Sequence, residues 1–331
     1  MIGRREFITL LGGATAWPLG ARAQQSERMR RIGVLMGYAE DDPEAQRRFA
    51  AFQHGMTEAG WILGRNLQID LRWGTADIER IKQLAGELAG LRPDVIVANT
   101  TPVTLALKRA TSTIPIVFTV VSDPVGEGLV ASLSRPGGNV TGFINVEASM
   151  GGKWLELLKE IAPNVNHVSI MFNPDTAPGG GRYFLPFFES AGIRLGIRTR
   201  SAPVHNAAEI EHAIADLAAE PGGGLVMMTD GFLTVHRTDV MTLAARYKVP
   251  STYPVAAYAR EGGLFAYSAD YFDVFHRSAS YVDRILKGQR PGELPVQVPT
   301  KFELIINLKT AKMLGITVPP TLLAIADEVI E

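Results

Sequence analysis

The chain contains no cysteine, so disulfide bridges, thiolate nucleophiles, cysteine zinc sites and a lipid-modified N-terminal cysteine are all excluded. It also has no excess of either charge, because 33 Lys and Arg stand against 34 Asp and Glu. This balance provides no electrostatic footprint for nucleic acid and no polybasic anchor for a membrane. We therefore expect no nucleic-acid partner.

The sequence motifs of familiar catalytic and phosphate-binding sites are missing as well. There is no Gly-x-Ser-x-Gly, no Ser-x-x-Lys, and no Walker or Gly-x-Gly-x-x-Gly loop. The run Gly179-Gly180-Gly181 lacks the Lys-Ser/Thr of a P-loop and is interpreted as a flexible turn. The six histidines show no metal-ligand spacing. The sequence thus predicts no catalytic residue, no metal and no cofactor. An exported transferase or hydrolase stays open as an alternative, with Asp123, Asp230 and Asp270 as its possible acid/base groups.

The N-terminus has the composition of an export signal rather than of a folded element. Paired arginines, Arg4 and Arg5, precede a modestly apolar run from Phe7 to Leu19, and Ala21-Arg22-Ala23 supplies a small-x-small cleavage pattern. The run is too short to span a bilayer as a mature helix. Residues 1–23 are therefore predicted to be a cleaved Tat-like signal. This implies a periplasmic protein that begins at Gln24 and does not insert into the membrane.

The remaining chain alternates strands and helices twice over, which predicts an α/β fold with two doubly wound parallel sheets. At 331 residues and 46% hydrophobic content it is long enough for two cores. The stretch from Ile114 to Asn145 is interpreted as the passage between the two units. It comprises a buried strand to Val121, a short helix from Val125 to Leu133 and a second extended segment from Val140. In the second half, Ile193 to Thr199 is expected to be a strand.

Ligands of doubly wound sheets bind beyond the carboxyl ends of the strands, so the residues that follow each strand are the candidate site. They are Tyr38, Thr100, Thr101, Asp123, Asn173, Asp230, Tyr253, Tyr267 and Asp270. Each is also a plausible helix cap or turn former when taken alone. The set contains no Lys or Arg, which argues against a phosphorylated ligand. Helix N-termini after Thr101 and Asp123 could hold a carboxylate, and Asp230 or Asp123 could accept from an amine. The sequence therefore favours a small amino-acid-like or aromatic carboxylate solute.

Several segments together resemble the periplasmic substrate-binding proteins of ABC transporters, in particular the TrpX-like family. Besides the export signal, the segments that carry this resemblance are ANTTPVT, FTVVSDPVGEGLVASLSRPGGNVTG, FNPD and VPTKFELIINLKTAKMLGI. The resemblance covers nearly all of the mature chain. One departure is the first loop, which reads Gly-Tyr-Ala-Glu-Asp-Asp-Pro rather than the Glu-His-Pro form of TrpX-like members.

The resemblance implies a type I periplasmic-binding fold, in which two lobes joined by three crossovers close over a solute. The first lobe would hold residues 29–121 and about 270–290, and the second 122–269 and about 300–331. The ligand loops of the family would add Asp42 and Ser122 to the candidate residues. The expected partners are a small-molecule solute and an inner-membrane ABC permease, and the expected state is a monomer. A sugar-responsive regulator of the same fold would need a basic helix-turn-helix where this chain has its signal.

Overall fold

The computed structural model describes residues 29–331, which form two α/β lobes, each built on its own sheet. This arrangement confirms the predicted fold class. The predicted export signal, residues 1–23, lies outside the described residues. No helix formed by residues 29–331 is both long and apolar enough to cross a bilayer.

The first lobe contains a five-stranded parallel sheet in the order β2-β1-β3-β4-β5. Strands β3, β4 and β5 are buried along their whole length, which explains their continuous apolar sequences. Strand β2, in which apolar and polar residues alternate, lies at the edge of the sheet and is only partly buried. The elements in chain order are β1 (Arg30–Met36), α1 (Pro43–Glu58), β2 (Leu67–Trp73), α2 (Ile78–Gly90), β3 (Val95–Asn99), α3 (Thr101–Ala110), β4 (Ile116–Val121) and β5 (Val140–Ile144).

The second lobe contains a seven-stranded sheet in the order β12-β11-β10-β9-β8-β6-β7, parallel except where β10 meets β11. Its elements are α4 (Met150–Ile161), β6 (His167–Phe172), α5 (Leu185–Leu195), β7 (Arg198–Pro203), α6 (Ala207–Ala219), β8 (Gly223–Met227), α7 (Gly231–Val235), α8 (Arg237–Arg246), β9 (Ser251–Tyr253), α9 (Ala256–Arg260), β10 (Phe265–Ala269), β11 (Phe302–Asn307), α11 (Leu308–Met313), α12 (Pro320–Ile325) and β12 (Glu328–Ile330).

The chain passes between the lobes three times. The first passage follows β5, the second leads from β10 into α10 (Tyr271–Leu286), and the third precedes β11. Helix α10 packs on α1 and so belongs to the first lobe. Strand β5 pairs with β4 in the first sheet, whereas the sequence-based boundary at Val121 assigns it to the second lobe. The cause of this difference is that residues 122–139 form a loop that returns to the same sheet.

Two predicted elements differ in the structure, and glycine explains both differences. Residues Val125 to Leu133 form successive turns rather than a helix, because Gly128 adopts a left-handed φ of 65°. The predicted strand from Ile193 begins instead at Arg198. Helix α5 continues to Leu195 and ends where Gly196 adopts φ 65° as its left-handed cap.

The hydrophobic core is continuous across the gap between the lobes. One cluster of buried side chains combines Tyr38 and Phe49 of the first lobe with Val255 and Tyr258 of the second. Two further clusters lie within the separate lobes. The structure is therefore a closed arrangement of the two lobes.

Candidate functional site

A small cavity lies where the carboxyl ends of both sheets face each other. Its volume is about 30 Å³, and residues of both lobes line it. From the first lobe come Tyr38, Thr100, Thr101, Val120, Ser122, Asn145 and Tyr271; from the second come Thr176, Thr229, Asp230, Gly231, Thr234 and Val255. This position, outside the strand ends of two doubly wound sheets, is the one expected for a ligand.

Five of the eleven residues predicted from the sequence line this cavity. They are Tyr38, Thr100, Thr101, Ser122 and Asp230. They come together because the polar residue directly after a buried parallel strand faces the same edge of the sheet as its neighbours.

The other six predicted residues lie elsewhere, and most have a structural partner. Asp123 accepts from the N–H of Gly126 at 2.9 Å in the turn after β4. Tyr253 is a core residue that is only 2% exposed. The ring of Tyr267 stacks on Phe302 at 5.8 Å. The remaining three are Asn173, behind the cavity wall, Asp270, which caps α10, and Asp42, at the closing edge of the lobes.

The backbone on the first-lobe side of the cavity is strained at two residues. Thr100 has φ 82° and ψ 157°, a backbone conformation that residues other than glycine rarely adopt. Val120 has φ 56°, at the irregularity where β4 shifts register against β5. Conformations of this kind cost on the order of 1–3 kcal/mol each and cluster at functional sites. The strain supports a binding role for this wall.

Three polar groups that line the cavity make no hydrogen bond of ordinary geometry with any described residue, although they lie close enough together for Asn145 and Thr229 to oppose the rise in the pKa of Tyr271. They are Nδ2 of Asn145, the hydroxyl of Thr229 and the hydroxyl of Tyr271. Burial raises the pKa of Tyr271 to about 12, so its hydroxyl is neutral and able to donate. Unpaired buried polar groups are uncommon and costly. Their convergence from both lobes on one cavity indicates a place for a polar ligand or ordered water.

The sequence analysis missed Asn145, Thr229 and Tyr271, although each stands beside a residue that it considered. Asn145 ends the segment predicted from Val140, and its Oδ1 accepts from the hydroxyl of Ser122 at 2.8 Å. Thr229 and Tyr271 are the immediate neighbours of Asp230 and Asp270. Asn145 and Tyr271 each lie where the chain passes between the lobes, the first after β5 and the second after β10. That position is the signal by which the sequence could have identified these two residues.

Asp230 lines the cavity, but its carboxylate is already engaged within the second lobe. One oxygen accepts from the N–H of Leu233 at 2.6 Å as the cap of α7, and the other accepts from the N–H of Asn173 at 2.9 Å. The hydroxyl of Thr176 lies 3.3 Å from the first oxygen. Burial raises the pKa of Asp230 to about 7, opposed by these hydrogen bonds. Asp230 therefore joins α7 to the loop after β6.

A buried arginine supports the aromatic wall of the first lobe. The guanidinium of Arg48 lies 5.5 Å from the centre of the Tyr38 ring and 4.8 Å from that of Tyr271. Such cation–π contacts are strongest where water is excluded, and Arg48 is only 3% exposed. Burial is also the main cause that raises the pKa of the Tyr38 phenol. Arg48 thus holds the two tyrosine rings in place behind the cavity.

Two polar contacts outside the small cavity join the lobes. Oδ2 of Asp42 pairs with the guanidinium of Arg237 at 3.0 Å, while its Oδ1 caps α1. Glu127 of the loop after β4 accepts from the N–H of Gly179 at 2.8 Å. A larger outer cleft of about 610 Å³ shares Thr101 and Thr176 with the cavity and opens between the lobes. The Asp42–Arg237 pair and the Glu127–Gly179 hydrogen bond each join the two lobes, so they can form only while the lobes are closed.

Comparison with known proteins identifies the family. A family model described as ABC transporter substrate binding protein matches residues 39–330. The chain belongs to this family. Among curated proteins, a tyrosine-binding protein of Clostridioides difficile (strain R20291) is 25% identical over 292 residues, which cover 87% of this chain and 82% of the relative.

Two solved structures resemble this substrate-binding protein closely. A conserved domain protein from Vibrio cholerae matches with a TM-score of 0.84 and 30% identity, over 91% of this chain and 100% of that one. An ABC domain from Streptococcus pneumoniae in complex with L-Trp matches with a TM-score of 0.83 and 25% identity over the same shares, 91% and 100%. The type I periplasmic-binding fold implied by the sequence is confirmed.

Proposed function

We propose that this substrate-binding protein captures a small amino-acid-like or aromatic carboxylate solute between its lobes in the periplasm and delivers it, as a monomer, to an inner-membrane ABC permease. The observation that carries the proposal is the set of unpaired polar groups from Asn145, Thr229 and Tyr271 around one cavity between the lobes. The names of two relatives support the solute class, because one is a tyrosine-binding protein and another was solved with L-Trp.

The start of α3 provides donors for a carboxylate. The first backbone bond of this helix runs from the N–H of Thr104 to the carbonyl of Thr100 at 3.1 Å. The N–H groups of Thr101 and Val103 precede it and have no intrahelical acceptor, while Pro102 has no N–H. Because the helix dipole also favours negative charge there, a solute carboxylate is stabilised at this end of the cavity.

The tyrosine side of the cavity suits an aromatic or aliphatic side chain. Tyr38 and Tyr271 line this side with their rings packed against Arg48, and their hydroxyls remain neutral. Asp230 is the nearest acidic group for an amine, but its oxygens are already bonded to second-lobe donors. We infer that the amine is bound mainly by neutral oxygens such as that of Thr229.

Capture requires the lobes to open and close. A volume of about 30 Å³ holds one or two waters, which is far less than an amino acid needs. A solute therefore enters an open form, and the closing lobes complete its hydrogen bonds. Hinge closure of two lobes around a ligand is a common mechanism for such a pair.

Calorimetric titration of the purified protein with L-Trp, L-Tyr and a panel of other amino acids tests the solute class. Removing the hydroxyl in Tyr271→Phe or Thr229→Val should weaken binding roughly fivefold or more, because a buried hydrogen bond is lost. Thr252→Val is the matched control, since the Thr252 hydroxyl is also buried and unpaired but lies outside the cavity. Equal affinity in all three variants would show that the cavity is not part of the binding site.

Two further measurements test the rest of the proposal. N-terminal sequencing of the exported protein should give Gln24 as the first residue, and a cytoplasmic location would contradict the periplasmic assignment. Incubation with the bound solute should leave it chemically unchanged. Turnover would favour the alternative of an exported transferase or hydrolase instead.

A further inference from the structure

Two histidines and a glutamate meet on the outer surface of the first lobe. His54 and Glu58 are one turn apart on α1, and His276 is on α10. Nε2 of His276 lies 2.7 Å from one Glu58 oxygen, and Nδ1 of His54 lies 3.4 Å from the other. The two imidazole rings are 5.8 Å apart. One ligand atom from each residue lies within 4.8 Å of the other two.

The packing of the two helices explains why these side chains converge. Gly55 lies next to His54 in sequence, and a Cβ at this position would come within 2.5 Å of the carbonyl oxygen of His276. Because glycine has no side chain, α1 approaches α10 more closely here than any other residue would allow. The ligands are therefore carried by two rigid helices rather than by loops.

The chemistry of the three groups matches a divalent transition metal. Two imidazole nitrogens and one carboxylate form a common three-ligand set for Zn²⁺, with water in the remaining position. Zinc bonds of about 2.0–2.2 Å require ligand atoms somewhat farther apart than the shorter contact seen here. All three side chains are at least 41% exposed, so small rotations can supply this separation.

We propose that His54, Glu58 and His276 form a surface Zn²⁺ site that joins α1 to α10. This site is separate from the cavity between the lobes, and its occupant is a metal ion rather than the transported solute. The sequence alone could not show it, because His276 lies 218 residues from Glu58 and only the helix packing brings them together. Elsewhere among residues 29–331, no other cluster of three such ligands occurs.

Isothermal titration of the untagged, chelator-treated protein with Zn²⁺ tests the proposal. We expect one saturable site per chain. His276→Ala and His54→Ala, which remove ligands from different helices, should each weaken zinc binding at least about tenfold, since even outer-shell partners of metal sites are worth about 10–100-fold. Glu58→Gln should do the same while preserving the shape of the side chain.

His212→Ala is the matched control. His212 forms an exposed pair with Asp216 at i,i+4, with Nε2 3.5 Å from Oδ2, but it has no ligand from a second helix. Its substitution should leave zinc binding unchanged. Absence of saturable zinc binding in the unmodified protein overturns the proposal, and so does an equal loss in His212→Ala and His276→Ala. A folded His54→Ala variant that binds zinc as tightly as the unmodified protein would also overturn it.

Discussion

At the scale of single residues, Asp230 shows how a strand-end position can serve two purposes. Its place after β8 predicts a ligand contact, and it does line the cavity. However, both carboxylate oxygens accept from backbone N–H groups of its own lobe. A sequence cannot separate these two roles, because both require a short acidic residue at the same position.

Replacement of Asp230 should therefore affect stability more than affinity. Measured at about pH 5, below the raised pKa of Asp230, Asp230→Ala leaves the N–H groups of Leu233 and Asn173 without their partner, so we expect a loss of about 1–3 kcal/mol in the free energy of unfolding. Solute affinity should change by less than roughly threefold. A denaturant melt beside a calorimetric titration measures both quantities. Intact stability with strongly weakened binding would instead place the solute amine on Asp230.

The raised pKa of Asp230 also predicts a pH dependence. Its pKa rises from 3.8 to about 7 on folding, so the folded state binds a proton that the unfolded state has released in this range. The free energy of unfolding should therefore fall as the pH rises from about 4 to about 7, by roughly 4 kcal/mol at most. Asp230→Asn removes the titrating carboxyl group. The difference between the denaturant melts of the unmodified protein and of this variant, measured across the pH range, isolates the contribution of Asp230. Parallel pH profiles would contradict the raised pKa.

At the scale of elements, periodicity identified most strands and helices, but glycine decided where several of them end. Buried parallel strands such as β3 and β4 are apolar throughout, so their existence was predictable from the sequence. The turns after Val125 and the extension of α5 depend on left-handed φ values at Gly128 and Gly196. Glycine permits such values without requiring them, so the sequence alone left them open.

Gly55 should be much less tolerant of substitution than other helical glycines. A Cβ at Gly55 would meet the His276 carbonyl at 2.5 Å, so Gly55→Ala should destabilise the protein by about 1–3 kcal/mol despite the better helix propensity of alanine. Gly86→Ala in α2 is the matched control, because its Cβ would meet nothing within 4 Å. That variant should be stabilised by about 0.5–1 kcal/mol. Thermal melts compare the stabilities of the two variants. Equal changes in stability for Gly55→Ala and Gly86→Ala would disprove the close approach of α1 and α10.

The ion pair between Asp42 and Arg237 should contribute to the closed state alone. Arg237→Met removes it, so we expect faster solute release and an affinity lower by about 1 kcal/mol, roughly fivefold. Arg260→Met is the control, because Arg260 pairs with Glu303 and Glu328 within the second lobe. Stopped-flow dissociation rates distinguish the two variants. Identical rates would mean that the pair does not hold the lobes together.

At the scale of the whole molecule, the two-lobed architecture was predictable, while the cavity was predictable only in part. Parallel sheets place polar strand ends at one edge, and this rule predicted three residues that line the cavity, Thr100, Thr101 and Asp230. The positions of Asn145 and Tyr271 depend on how the passages run between the lobes. That information lies in tertiary packing rather than in local pattern.

Solute binding should make the molecule more compact. The closed cavity of about 30 Å³ is too small for an amino acid, so the proposed capture requires the empty protein to populate an open form in solution. Small-angle scattering should give a larger radius of gyration without the solute than at saturation, and the forward intensity should correspond to a monomer. An unchanged radius at saturation would contradict closure.

The three passages between the lobes are hydrogen-bonded to one another, and this restricts how the lobes can move. The third passage, which includes Gln297 and Lys301, is bonded to the chain at both other passages. The N–H of Ile144, at the end of β5, donates to the carbonyl of Gln297 at 2.9 Å, and the N–H of Asp270, before α10, donates to the carbonyl of Lys301 at 3.1 Å. Three connections fastened side by side should favour one motion of the lobes, a hinge rotation about a single axis. The fraction of protein with bound solute therefore translates into one distance, which a pair of fluorophores on opposite lobes would report.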